Sequence, residues 1–241
     1  MFPIRDHNPS QSRPIVTYLL IAANVAMYLL TLPALEGGEM LWVRLALYPL
    51  AISNGEMFSG LLTHMFLHAG FMHLAGNMLF LWIFGDNLED QMGKPGFLAF
   101  YLACGLAAAA GQIASEPFSP VPMVGASGAI AGVMGGYLLL FPKARIDILF
   151  IFIIFFKVFT VPAWIMLALW FAIQLFGGFS SVGSEGGVAY WAHAGGFLAG
   201  LILTLPVFLR RGGPSFWNRT HGKPPHADAV YPPSRIPRVR R

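Results

Sequence analysis

Six apolar stretches, separated by short breaks of polar residues, glycine and proline, organise the chain. They run from Ile15 to about Leu32, Phe71 to Glu89, Phe97 to Ala114, Ala126 to Phe141, Pro162 to Phe176 and Val188 to Leu209. Each lies near the ~20 apolar residues that a helix needs to cross ~30 Å of hydrocarbon. The pattern predicts an all-α, polytopic membrane protein built as a bundle of six transmembrane helices. Arg13-Pro14 precedes the first stretch, Ala69-Gly70 precedes the second, and Pro162 suits the first turn of the fifth. The fourth and fifth stretches are short, roughly 22 to 26 Å at about 1.5 Å per residue. Parts of them are therefore expected to be enclosed by protein or reached by water. A further run, ILFIFIIFF at 148–156, is too short to span and reads as a dipping or interfacial segment.

The first stretch follows Arg5 and Arg13, as a signal peptide would, but TLPALEGGE after it carries no A-x-A cleavage pattern. It reads as a retained helix. The domain plan is then an N-terminal segment (1–14), a six-helix domain (15–209) and a tail (210–241). The connection 33–70 is the longest internal one. Its MLWVRLALYPL stretch mixes aliphatic residues, aromatics and one arginine, which predicts a structured loop lying in the interface.

Composition agrees with the pattern: 11% of residues are charged, against about 25% in soluble domains. The net charge of +4 would suggest nucleic acid in a soluble protein. Here topology explains it, and no nucleic-acid partner is expected. With these spans, fourteen of the fifteen basic residues fall on one side and only Arg44 on the other. The positive-inside bias then predicts that both termini are cytoplasmic and that loop 33–70 lies outside. The tail from Gly212, rich in proline and arginine, reads as a disordered basic extension. A single cysteine, Cys104, excludes an intramolecular disulfide and a cysteine-built zinc cage.

Polar groups within an apolar bundle are costly, so their placement is informative. The second, fourth and sixth helices run in the same direction, and near their outer starts sit His73 and Asn77, Ser127, and His193. His73 and Asn77 are four apart and share a helix face. Taken singly, each group has a structural explanation. Ser127 lies in a glycine-rich helix where Gly128, Gly132 and Gly136 give small-xxx-small spacing, matched by Ala192, Gly196 and Gly200 on the sixth helix. Asn77 alone reads as interhelical glue, and His193 alone as a buried, hydrogen-bonded histidine. Packing, however, does not call for a base opposite a serine. A hydroxyl needs such a base to become a nucleophile. Glu185, eight residues before His193, is the nearest carboxylate, so a dyad is favoured over a triad. His73, Asn77 and the Ser127 backbone N–H are candidate donors to an oxyanion.

A metal reading competes, because His64 and His68 are four apart and His73 is close. No H-E-x-x-H motif and no acidic residue joins them. They read instead as polar residues of a loop folded over the membrane surface, with no metal and no cofactor expected.

THMFLHAGFMHLAGN (63–77), FGDNLED (84–90), GASGAIAG (125–132) and AHAGGFLAG (192–200), in this order, resemble the rhomboid family of intramembrane serine proteases. The likeness covers about 15–209. It implies Ser127 as nucleophile, His193 as general base and then acid, His73 and Asn77 at the oxyanion, and a water-filled cavity above Ser127. Glu89 matches a family glutamate of structural role. The implied partners are single-span membrane proteins and the lipid bilayer. The implied site is an integral membrane location, expected to be a prokaryotic plasma membrane. The alternative is a proteolytically inactive relative that binds membrane clients. Two positions depart from the family pattern. Ser59-Gly60 stands where members often carry Trp-Arg, and Ala131 stands where some place an aromatic residue against the catalytic histidine.

Overall fold

The computed structural model describes residues 2–37, 40–152, 155–180 and 188–230. All six apolar stretches are helical: α1 (Ile15–Gly37), α5 (Phe71–Met92), α6 (Lys94–Ser115), α7 (Ser127–Leu140), α8 (Ala163–Ser180) and α9 (Tyr190–Arg210). Among the described residues, four of them (α1, α6, α8 and α9) are long and apolar enough to cross a membrane. A fifth span results if Gly60–Phe66 and Phe71–Met92, bent by 91°, count as one broken span. α7 has only 14 residues and is buried along almost its whole length. An apolar helix of this kind, without a polar face, belongs in the middle of a bundle. α8 departs from the expectation for a short helix: it reaches 18 residues and buries only Ala163, Leu167, Gln174 and Gly178. Its other faces present Leu169, Ile173, Phe176 and Phe179 outward, as do Leu29 and Leu30 of α1 and Ile202 and Leu209 of α9.

α7 and α9 are in backbone contact along a seam of small residues. A Cβ on Gly196 would collide with the carbonyl oxygen of Gly128, and one on Gly200 with that of Gly132. One on Gly136 would lie 2.6 Å from Thr204 Oγ1. Both glycine series thus face each other at the four-residue period.

One end of the bundle carries an antiparallel sheet in the order β1 (Phe2–Asp6), β2 (Arg145–Phe152), β3 (Phe155–Pro162). The described residues of the run 148–156 are extended rather than helical: 148–152 belong to β2 and 155–156 to β3, with Ile148 paired to Phe159 and Phe150 to Lys157. Its isoleucines and phenylalanines have strand propensity as well as apolarity. Asp147 is the hub of the sheet: Arg5 Nε donates to it at 2.7 Å and Thr160 Oγ1 at 2.6 Å, and His7 Nε2 lies 3.0 Å away. The start of the tail is ordered too, contrary to the expectation of disorder from Gly212. Helix α10 (Pro214–Thr220) sends Trp217 Nε1 to the Leu139 carbonyl at the end of α7. Beyond it, Asp228 pairs with Arg145, and the Ala229 N–H donates to the His7 carbonyl. Residues 231–241, and Glu185, lie outside the described residues.

FGDNLED acts as a clasp between α5 and the chain that leads into α1. Glu89 accepts the backbone N–H groups of Val16 and Thr17 at 3.0 and 2.9 Å and the Thr17 hydroxyl at 2.9 Å. These N–H groups belong to the first turn of α1, where no intrahelical acceptor exists and the helix dipole favours a negative charge. Asp90 accepts from Ser12, and the Asn87 amide donates to the Asn8 carbonyl.

The connection 33–70 carries α2 (Met40–Leu45), α3 (Pro49–Ser53), α4 (Gly60–Thr63) and a 3-10 turn at His64–Phe66. Gly60 answers the question raised by the missing Trp-Arg pair. A Cβ there would lie 2.6 Å from the Ala46 carbonyl oxygen, so close backbone approach anchors the loop. Thr63 Oγ1 adds a hydrogen bond to the Leu45 carbonyl at 2.6 Å.

Candidate active site

Ser127 occupies the first position of α7, on a chain that arrives pinned to the loop. Met123 bridges Leu47 in antiparallel fashion, and the Gly125 N–H donates to the His64 carbonyl at 2.9 Å. Gly125 has φ +123°, and a Cβ at this position would lie 2.7 Å from His73 Nε2. Only glycine satisfies both conditions. The entry leaves the Ser127 N–H in the first turn of the helix, where no intrahelical acceptor exists.

His193 sits on the first turn of α9, and its Nε2 is 2.8 Å from Ser127 Oγ. The glycine seam makes this contact possible, because a serine side chain is too short to cross an ordinary helix spacing of about 8–10 Å. On the other side of the imidazole, Nδ1 is 2.8 Å from Gln174 Oε1. The Trp170 indole lies against the ring, with centroids 5.7 Å apart and planes inclined by 36°. Ala131 therefore leaves no gap in the support of His193, since α8 provides an aromatic face from the neighbouring helix. Gln112 braces the start of α9 by accepting the Ala192 N–H at 3.3 Å.

Asn77 is buried on α5, and its Nδ2 donates to His68 Nε2 at 2.9 Å. The His68 ring is fully buried and meets His73 edge-on, with centroids 5.1 Å apart. His64 is buried as well, with Nδ1 2.8 Å from the Gly60 carbonyl oxygen. Neither is a surface loop residue, as the sequence suggested: the loop folds inward. A cavity of about 600 Å³ is lined by Ser127, His193, His73 and Asn77, together with Trp42, Gly125 and Trp170. All four candidate residues thus reach one space, from three helices that each supply them near the same end.

Three residues escape a reading of the sequence by motif. The sequence places His68 in a loop over the membrane surface, and no motif contains Gln174 or Trp170. A signal for Gln174 existed, as it is the only amide, hydroxyl or charged side chain in AWIMLALWFAIQLF (163–176). By the cost of polar groups in an apolar span, it ranks with Asn77.

The fold is that of a polytopic helical membrane protein with a cavity at one end where a few polar side chains meet among apolar ones. The family model of the rhomboid domain matches residues 55–210, well over half of the sequence, and the chain belongs to the rhomboid family. Rhomboid protease GluP of Bacillus subtilis (strain 168) is 41% identical over 130 residues, covering 52% of this chain and 24% of that protein. The putative rhomboid protease YdcA of the same organism is 39% identical over 126 residues, covering 52% of this chain and 61% of that protein. Rhomboid protein 1, mitochondrial, of Saccharomyces cerevisiae is 32% identical over 144 residues, 57% of this chain and 38% of that protein. The chain thus spans less than two thirds of the length of each of these relatives, which come from a bacterium and from a mitochondrion.

Proposed function

We propose that this chain is an intramembrane serine endopeptidase that hydrolyses peptide bonds in or near the transmembrane segments of single-span membrane proteins. The observation that carries the reading is the 2.8 Å contact between His193 Nε2 and Ser127 Oγ at a cavity that His73 and Asn77 also line. In this mechanism Ser127 Oγ attacks the scissile carbonyl carbon while His193 Nε2 takes the hydroxyl proton. The negative charge that develops on the carbonyl oxygen is met by the Ser127 N–H, with His73 and Asn77 as side-chain donors. Collapse of the tetrahedral intermediate expels the amine, which receives the proton from His193. Water then attacks the acyl-enzyme, with His193 again as base, and frees Ser127. A substrate helix hides its carbonyls in i to i−4 bonds, so the scissile stretch has to unwind before attack. Small or helix-breaking residues there favour cleavage.

The relatives named as proteases support this reading over that of an inactive client-binding relative, as does the presence of both serine and histidine. Basic side chains gathered at the sheet end support a cytoplasmic location for both termini, with the cavity facing outward. A prokaryotic plasma membrane is the proposed location. The deciding experiment compares cleavage of a single-span model substrate in liposomes by wild type and by Ser127→Ala. Cleavage should fall more than about 10³-fold, in line with removal of a serine nucleophile elsewhere. Equal rates would refute the assignment. Fluorophosphonate labelling of Ser127 should vanish in His193→Ala, and a folded wild type that takes no label would favour the client-binding alternative.

A further inference from the structure

We infer that Gln174 is a positioning residue that fixes the tautomer of His193, so that α8 completes the dyad as a Gln174–His193–Ser127 relay of hydrogen bonds. The inference rests on the protease reading for its kinetic consequences, but not for its geometry. Gln174 is buried, and its two amide atoms face different partners. Nε2 is 3.3 Å from the Trp170 carbonyl oxygen, and Oε1 is 2.8 Å from His193 Nδ1. The opposite amide orientation would set Oε1 against the Trp170 carbonyl, two acceptors face to face. The Trp170 carbonyl therefore decides which amide atom meets the histidine. With Oε1 at 2.8 Å, a bare Nδ1 would again oppose two lone pairs, so Nδ1 carries the proton.

The consequence lies at the other nitrogen. A neutral imidazole protonated on Nδ1 has its lone pair on Nε2, the atom 2.8 Å from Ser127 Oγ. Only this tautomer accepts the serine proton; the other would donate toward the hydroxyl and leave it unactivated. During attack the proton moves from Oγ to Nε2 while the Nδ1 proton stays in place. The resulting imidazolium donates to Gln174 Oε1, which takes up no proton. Trp170 presses on the ring face and Gln174 fixes rotation in the ring plane, so both degrees of freedom of His193 are set from α8. A neutral amide thus does part of the work that a carboxylate does in a triad, without placing a charge among apolar side chains.

The test uses the full-length protein in detergent and in liposomes, with Gln174→Leu and Gln174→Glu. Thermal unfolding shows which variants fold, and ¹⁵N-histidine NMR reads the tautomer, the His193 signals being assigned against His193→Ala. In the wild type Nδ1 should be protonated and Nε2 unprotonated. Gln174→Leu should lose this preference, and its kcat should drop at least about 10-fold with little change in KM, as part of the ~10²–10⁴-fold that a positioned base contributes. Gln174→Glu, which keeps an acceptor at Nδ1, should restore both. A purely structural role would lower the unfolding temperature without changing the tautomer. A folded Gln174→Leu with wild-type kcat and wild-type ¹⁵N signals overturns the inference. If Gln174→Leu does not fold, Gln174→Glu decides: a retained Nδ1–H signal with activity supports the inference, and loss of either in a folded protein overturns it. If the wild type cleaves nothing, the protease reading fails, and the NMR comparison alone upholds or overturns the placement of the proton.

Discussion

Single residues in this site act through what holds them. Asn77 lines the cavity while His68 receives its amide, so the orientation of this proposed oxyanion donor is set by a histidine from the loop. Asn77→Ala should lower kcat by about 10² to 10³-fold, the usual cost of removing one such donor. His68→Phe keeps the volume but frees the amide, and should cost less, about 10-fold, as a partial loss of the same donor. Steady-state cleavage of one model substrate by both variants checks the order, and an Asn77→Ala enzyme as fast as wild type would remove the donor role. Ser127 and His193 are legible in the sequence because their motifs are short and local. The His68–Asn77 pair is not, because nothing in THMFLHAGFMHLAGN states that the chain bends by 91° between Gly60–Phe66 and Phe71–Met92 or that His68, in the break, folds inward.

Among the elements, α7 and α9 were the most legible, because small residues every four positions leave few alternatives to a close crossing. Replacing Gly200 by valine puts methyl groups into the Gly132 carbonyl, and neither backbone can yield without separating Ser127 from His193. Overpacking of this kind costs about 1–3 kcal/mol. Gly200→Val should therefore unfold at a lower temperature in detergent and cleave poorly, with both effects arising from one contact. Glu89 is a second test at this scale, since its carboxylate holds the first turn of α1. Glu89→Ala should lower stability by about 2 kcal/mol or more, because hydrogen bonds to a charged acceptor are each worth about 1.5–3 kcal/mol. Thermal or denaturant unfolding measures this, and an unchanged midpoint would show that the cap is dispensable. The strands were the least legible elements. An apolar run of nine residues fits a strand and a buried helix equally well, and the partner that decides, β1, lies more than 140 positions away.

At the scale of the whole molecule, the sheet end is held by acidic groups in contrasting settings. Asp147 is buried, which by itself would raise its pKa, but the hydrogen bonds from Thr160, His7 and Arg5 outweigh burial and bring it down to about 2. At Asp6 the balance goes the other way: burial first, and then the charge of Asp86, outweigh the hydrogen bonds from Tyr137 and the backbone and push it up to about 8. An acid whose pKa is higher folded than unfolded binds its proton more tightly in the folded state. The stability this adds is present in full below about 4 and is lost as the pH rises toward 8. Asp6→Asn should therefore flatten the fall in unfolding temperature between about pH 5 and 8, and parallel curves for the two proteins would contradict the assignment. The pairing of β1 with β2 also carries a consequence in time. Strand β1 is the first described part of the chain to be synthesised, yet its partner residue Leu149 follows Phe2 by nearly 150 positions. At about 5–20 residues per second, roughly seven to thirty seconds separate the two events. Through that interval α1, α5, α6 and α7 are made while the first strand waits unpaired, so β1 can meet β2 before α8 and α9, which complete the bundle, have been synthesised.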